Sequence, residues 1–465
     1  MAEESFFRGG EIGISYILFT ILFYGVFYWR YRHFHFTHQR LGWLILICIW
    51  LLALSYFTHN TAFFNVLNIL VIPVLVMFHL VLITSPHQME WKGTAFLAYV
   101  FTKLIEMIKF NVSFASSIQK SGKEIDQSQL VILKKVLTGL VLSIPVLAVV
   151  LTLLMSADAK FKQLLGGFPD WFQVINTETI VRGMIILITT AVFFGFLQVL
   201  HHKHIKIIDP GKARLAPPID AVIAFTILVV MDLVYLLFTF VQFKYFFGGT
   251  LQENYTFAQY ARKGFFELLF VSVINLSLLT VVLTFVKRSS GVLNRLKQIM
   301  LSLLVIFSAV ILSSAFLRLG MYEDAYGFTF TRILAHSFMI FLGIIFAYSF
   351  VQIWIEKLSF AHFFFITSFV YYSALNTVDL NQLVVTKNIN RFEQSGKVDI
   401  HYLNTLSYTG IHGLISLYKK DPNIPELGTI LMQRKEETRM EKDSWQSFNL
   451  RKQQVKNELE KLHIE

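Results

Sequence analysis

Asp232 stands close to the centre of the apolar run AVIAFTILVVMDLVYLLFTFVQF. A charge at mid-bilayer costs roughly 2.5–3.5 kcal/mol on the insertion scale, against a gain of about 0.3–0.6 for each Leu, Ile, Phe or Val. About fifteen such residues return roughly 7 kcal/mol, so the run inserts despite its carboxylate. Asp232 must then face the interior of a helix bundle, protonated or paired. Two readings fit: an ion or proton relay or substrate contact, and a plain hydrogen bond between helices.

Other polar residues recur at helical spacing. In YARKGFFELLFVSVINL, Glu267 and Asn275 are eight residues apart, which predicts one face, and Lys263 precedes Glu267 by one turn. Tyr260 and Arg262 open the same string. Arg332 and His336 are four apart, Arg318 lies shortly before them, and Tyr322 and Tyr326 fall between. Glu178 and Arg182 repeat the pairing at another helix start. Snorkelling to lipid headgroups accounts for any one of these, but not for their common placement near one membrane surface.

Two histidine groups, His33, His35 and His38 and then His201, His202 and His204, lie towards the opposite surface. A metal site needs ligands converging at about 2 Å, and interfacial histidines beside headgroups are the simpler reading. The one cysteine, Cys48, excludes a disulfide framework within the chain. Nucleotide-binding loops, metalloprotease helices and nucleophile elbows are missing from the sequence. No residue is therefore assigned a catalytic or metal-binding role, and no cofactor is expected.

These residues ride on long apolar segments. Of 465 residues, 55% are hydrophobic and only 15% charged, whereas a soluble domain carries about a quarter charged. The fold class is all-α: a polytopic transmembrane bundle of about ten helices and a short helical C-terminal tail. Spans are predicted at 12–29, 41–58, 61–84, 131–154, 178–201, 220–246, 264–286, 296–318, 330–354 and 359–375, each about the length that crosses 30 Å of hydrocarbon. The first is read as a retained helix, since no basic leader precedes it. Lys103, Glu106 and Lys109 interrupt 92–118, which reads better as an interfacial amphipathic helix than as a span.

The net charge of +11 sits at the ends of the apolar runs, so the bilayer, and not nucleic acid, is the expected partner. Lys and Arg concentrate in alternate loops, from Arg30, Arg32 and Arg40 through Lys203 and Lys206 to Lys287 and Arg288. Placing those loops in the cytoplasm puts both termini outside.

The domain boundary is predicted at 375/376. The polar tail, 376–465, shows helical patterns near 380–394, 400–408 and 410–420, then Pro422 and Pro425. At about 90 residues it is marginal as an independent domain. Beyond the prolines, Trp445, Phe448, Val455, Leu459 and Leu462 form a narrow apolar stripe. That stripe suits docking on the membrane, pairing with another envelope protein, or folding back on the tail.

YARKGFFELLFVSVINL (260–276), MYEDAYGFTFTRIL (321–334), SADAKF (156–161) and ALNTVDLNQLVVTKNINRF (374–392) resemble the bacterial polytopic family of domain of unknown function 4173. DIHYLNTLS (399–407) is similar to a tail shared with a sister group. The resemblance implies a bacterial cytoplasmic membrane protein and supplies no substrate or reaction. On the predicted topology these strings gather outside, with Asp158, Asn376, Asp379, Asn381, Asn388 and Arg391. They are expected either to form a polar mouth roofed by the tail, or to cap helices and tie loops.

Three functions follow. The first is a sensing, regulatory or scaffold protein of the envelope. The second is a transporter or permease using Asp232, Glu267 and Asn275. The third is a membrane enzyme acting on a lipid-linked or envelope substrate, with Asp158, Glu267 and Arg332 as acid, base and anion contacts.

Overall fold

The computed structural model describes residues 12–59, 61–87, 89, 91, 94–120, 177–201, 220–242, 264–286, 291–355, 357–441 and 444–464. The predicted span 131–154, and with it SADAKF, His202, His204, Tyr260, Arg262 and Lys263, lies outside these residues. Every regular element described is a helix: α1 Ile14–Arg30, α2 Gln39–Thr58, α3 Ala62–Thr84, α4 Thr94–Lys120, α5 Thr177–His201, α6 Ala221–Val241, α7 Phe265–Phe285, α8 Val292–Tyr326, α9 Phe330–Trp354 and α10 Phe360–Thr377. The tail adds α11 Leu380–Ser395, α12 Ile400–Asn404, α13 Ser407–Lys420, α14 Leu427–Met440 and α15 Leu450–Lys461.

Six helices among the described residues, α2, α3, α6, α7, α8 and α9, are long and apolar enough to cross a membrane. α1 and the segment Ile186–Leu200 of α5 are shorter apolar stretches. Side-chain caps set several helix starts: Asp220, Thr329, Ser359, Asp379, Asp399 and Asn449 each accept a bond from a first-turn amide.

α8 departs most from expectation. It runs 35 residues to Tyr326 and does not stop at 318, which makes it about 52 Å long at 1.5 Å per residue. The polar turns after Arg318 stay helical because neighbouring elements bond them, as described below. Gly327, at φ +86, then ends the helix where a side chain would be strained.

The chain forms two compact units, one holding Leu97–Ile205 and the other Ser5–Phe96 with Lys206–Glu465. In the first, α4 packs on α5: Asn111 lies against Gly195, Phe110 against Phe194, and the buried Lys103 donates to the Val199 carbonyl at 2.9 Å. Leu97, Phe101, Ile105 and Ile108 form an exposed apolar stripe on α4.

In the second unit α1, α2, α3 and α10 pack as one group, and α6, α7, α8 and α9 as another, with α9 touching α10. α6 buries Ala224, Leu228, Asp232 and Tyr235 while exposing Val222, Ile227, Val230, Leu233, Leu237 and Phe240. An exposed apolar surface of that extent is what lipid contact requires. The tail has a core of its own, built on Val384, Leu403, Leu414, Leu417, Leu427 and Leu431. Val455 and Leu459 of the predicted stripe fold back into that core, and Phe448 rests on Phe57, while Trp445 stays exposed.

Candidate functional site

The polar residues of the second unit fall into three zones. The first is a seam inside the α6–α7–α8 packing. Asp232 is 6% exposed, and neither carboxyl oxygen has a hydrogen-bond partner among the described residues. One turn along α6, the Tyr235 hydroxyl donates to Asn275 Oδ1 at 2.6 Å. Asn275 Nδ2 donates to Ser308 Oγ at 2.9 Å, and Ser308 donates to the Leu304 carbonyl. Further along α6, Gln242 Oε1 accepts from Ser314 at 2.8 Å and from Arg318 at 3.3 Å. Buried polar groups in a membrane interior are costly unless they find such partners.

The second zone is the end of this helix group. Glu323, 3% exposed, pairs with His336 at 3.1 Å, and His336 also bonds the Phe316 carbonyl and packs at a tilt against its ring. Arg332 bonds the Gly327 carbonyl and lies over the Tyr322 ring at 4.1 Å, with Tyr326 against Tyr322. Gly264, which precedes α7, leaves space that the Arg318 guanidinium fills. Arg318, Tyr322, Tyr326, Arg332 and His336 thus lie together near the C-terminal end of α8. Glu267 is exposed on the first turn of α7, whereas Asn275 is fully buried. These two do not share a surface, because eight residues turn a helix by two full turns plus about 80°.

The third zone ties the tail to the bundle. Arg391 donates to the Asp324 and Ala325 carbonyls, satisfying the C-terminal end of α8. Asn388 bonds both the amide and the carbonyl of Phe328, and the Phe330 amide donates to the Tyr402 hydroxyl. Asp379 caps α11, accepts from Thr409 at 2.9 Å and faces Arg451 at 3.7 Å. Asn376 is buried and accepts from Asn68 at 2.7 Å. Beside them His59, just past α2, is held below the ordinary histidine range by burial, partly offset by Asp379. Lys452, next in sequence to Arg451, lies over Tyr408, next to Thr409, and pairs with Glu441 at 2.6 Å; burial opposes the charge, but Glu441 and Tyr408 hold the ammonium above its usual range.

The second and third zones therefore interlock as caps and ties, and they are filled with protein groups. The seam differs in degree: among the described residues Glu323 leaves one carboxyl oxygen without a partner, whereas Asp232 leaves both. Tyr235, Ser308, Gln242 and Glu323 escaped the sequence reading. A signal was present for two of them: Asp232, Tyr235, Thr239 and Gln242 follow at steps of three, four and three along one helix face.

The profile of one family, Domain of unknown function (DUF4153), matches residues 46–417. The chain belongs to this family. The match names a different family from the one whose strings the sequence resembles, and both are of unknown function. No curated protein and no solved structure matches the chain. The DUF4153 match takes in the seam, the end of α8 and the tail through Leu417, whereas Arg451 and the rest of α15 lie beyond it. With its apolar helices, this DUF4153 chain is an integral membrane protein. Asp158, Tyr260 and Arg262 fall in the matched region but outside the described residues.

Proposed function

We propose that this DUF4153 chain is a regulatory or scaffold protein of the bacterial cytoplasmic membrane, in which the C-terminal helices report the state of the bundle to an envelope partner. One observation carries the reading: the tail holds the turn after α8 by its backbone, through Asn388 at Phe328 and Arg391 at Asp324 and Ala325. Bonds to backbone fix position whatever the side chains do, so a shift of α8 has to move the tail. The distribution of Lys and Arg supports a tail on the outer side, with both termini there. The resemblance of several strings to domain of unknown function 4173 is what favours a bacterial setting.

The test is rescue of a strain lacking the gene, scored by its envelope-stress response. The full chain is expected to restore the wild-type response, and a chain ending at Val378 to insert at normal level without restoring it. Full rescue by the truncated chain would sink the proposal. A second reading, a transporter or permease, is favoured by the unpartnered Asp232 inside the bundle.

A further inference from the structure

The seam of α6, α7 and α8 has one feature that neither packing nor capping explains. Asp232 is more than nine-tenths buried in the middle of a membrane-length helix, and both its oxygens lack a partner among the described residues. A carboxylate in such a place costs far more ionised than neutral. Its neighbours are asymmetric. The Tyr235 proton is committed to Asn275 Oδ1, at 2.6 Å, and the Asn275 amide to Ser308. The Tyr235 oxygen can still accept a bond. Asp232 and Tyr235 are three residues apart on one helix face, where side chains meet.

We propose that Asp232 is an exchangeable proton-binding site whose protonation sets whether the Tyr235 hydroxyl stays bonded to Asn275. With the proton on Asp232, the carboxyl makes no bond to Tyr235, and Tyr235 donates to Asn275, as observed. When that proton leaves to water, the carboxylate has no donor. The Tyr235 O–H then turns from Asn275 to Asp232, and Asn275 Oδ1 is released from α6. One proton is lost, one O–H rotates, and no covalent bond within the protein is otherwise made or broken. The bridge that joins α6 to α7 and α8 thus closes in the protonated state and opens in the ionised one.

The ligand proposed is a proton. No group of three or more His, Cys, Asp or Glu side chains that could hold a metal occurs among the described residues. Nor, among the described residues, do the facing helices carry a compensating charge at this level. The buried side chains from Ser272 to Leu279 on α7 and from Leu301 to Ser308 on α8 are neutral. Arg318 and Glu323 lie further along α8, and Glu267 is exposed at the start of α7. Thr239 and Gln242 continue the face from Asp232 towards the Glu323–His336 pair, where a proton meets the end of the bundle.

The inference does not depend on the regulatory reading, and its test does not involve the tail. The full chain, carrying 13C-labelled aspartate and reconstituted in vesicles, is followed by infrared absorption of protonated carboxyl groups as pH is stepped. A band present at acid pH, lost at alkaline pH and missing from Asp232→Asn throughout is the expected result. Tyr235→Phe removes the donor proposed for the ionised carboxylate while keeping the ring. In that variant the midpoint is expected to move up by about one pH unit, a tenfold change in proton affinity. A band that never titrates in the folded protein would show a fixed structural carboxyl and overturn the proposal. So would an absent band, which means permanent ionisation, or an unmoved midpoint in Tyr235→Phe. Should Asp232→Asn fail to fold, the labelled wild type and Tyr235→Phe decide the matter between them.

Discussion

The Asn388 side chain holds the Phe328 peptide by both its polar groups: Nδ2 donates to the carbonyl at 2.8 Å, and Oδ1 accepts from the amide at 3.0 Å. The residues are sixty apart in sequence, one on the tail and one in the turn between α8 and α9. A third bond, from Asn388 Nδ2 to the Val384 carbonyl, orients the side chain within α11. Asn388→Ala leaves a backbone donor and acceptor without partners, each worth about 1–3 kcal/mol. We expect a loss of roughly 2–4 kcal/mol in unfolding experiments in detergent, with protease cutting the chain at 327–329. A variant as stable and as resistant as wild type would show that the tail does not hold this turn.

Asp379 separates capping from charge. Asp379→Ala loses the cap of α11, the bond from Thr409 and the partner of Arg451 together. Asp379→Asn keeps Oδ1 for the cap but puts an amide NH2 in place of the Oδ2 that accepts from Thr409 and faces Arg451, so Thr409 must turn to accept and the charge is lost. The alanine variant is expected to cost about 1–3 kcal/mol, caps alone being worth about 1. The asparagine variant should cost less than 1, since the Arg451 pair is partly exposed and screened. Equal losses would place most of the energy at Oδ2, which Thr409 and Arg451 share, and not in the cap.

His59 gives the tail junction a pH dependence of definite sign. Burial lowers its folded pKa below the ordinary 6.5, so the folded state binds this proton less readily than the unfolded state. The stability this contributes is present above about 6.5 and is lost as pH falls from there through the folded value. His59→Gln should flatten the acid side of a melting-temperature profile and leave the neutral side in place. An unchanged acid limb would assign it to other groups.

The tail core tolerates no added carbon where α13 crosses its neighbours. A Cβ at Gly410 would run into the Leu403 carbonyl, and one at Gly413 into Val385. Gly25, on α1, has nothing within 4 Å of that position. Gly410→Ala and Gly413→Ala are expected to destabilise by about 1–3 kcal/mol through overpacking. Gly25→Ala should be neutral or gain about 0.5–1 from helix propensity. Melting temperatures of the three variants, measured side by side, check the ranking.

Hydrophobic periodicity and length alone place most described helices within two or three residues, as for α3, α7 and α9. α8 was misread because LRLGMYEDAY looks like a loop, and only distant groups make it helical: Gln242 at Arg318, His336 at Glu323, Arg391 at the final carbonyls. Asn388 was legible as polar, but its partner is backbone, which carries no signature in residue type. Glu267 and Asn275 show the converse error, where spacing near a multiple of the helical repeat concealed a rotation of nearly a quarter turn. The seam was half legible, since the stripe on α6 is periodic while its partners on α7 and α8 are single Asn and Ser residues among many.

The length of α8 has a mechanical consequence. A rod of about 52 Å in a hydrocarbon layer of about 30 Å overhangs it. If such a rod pivots at its middle, a tilt of about 10° carries each tip sideways by roughly 4–5 Å. Helices tilt by such amounts to match a thinner or thicker bilayer. The tip of α8 is the turn that Arg391 and Asn388 grip, so the lipid composition around the bundle becomes a lateral displacement beneath the tail, large enough to break or re-form hydrogen bonds there.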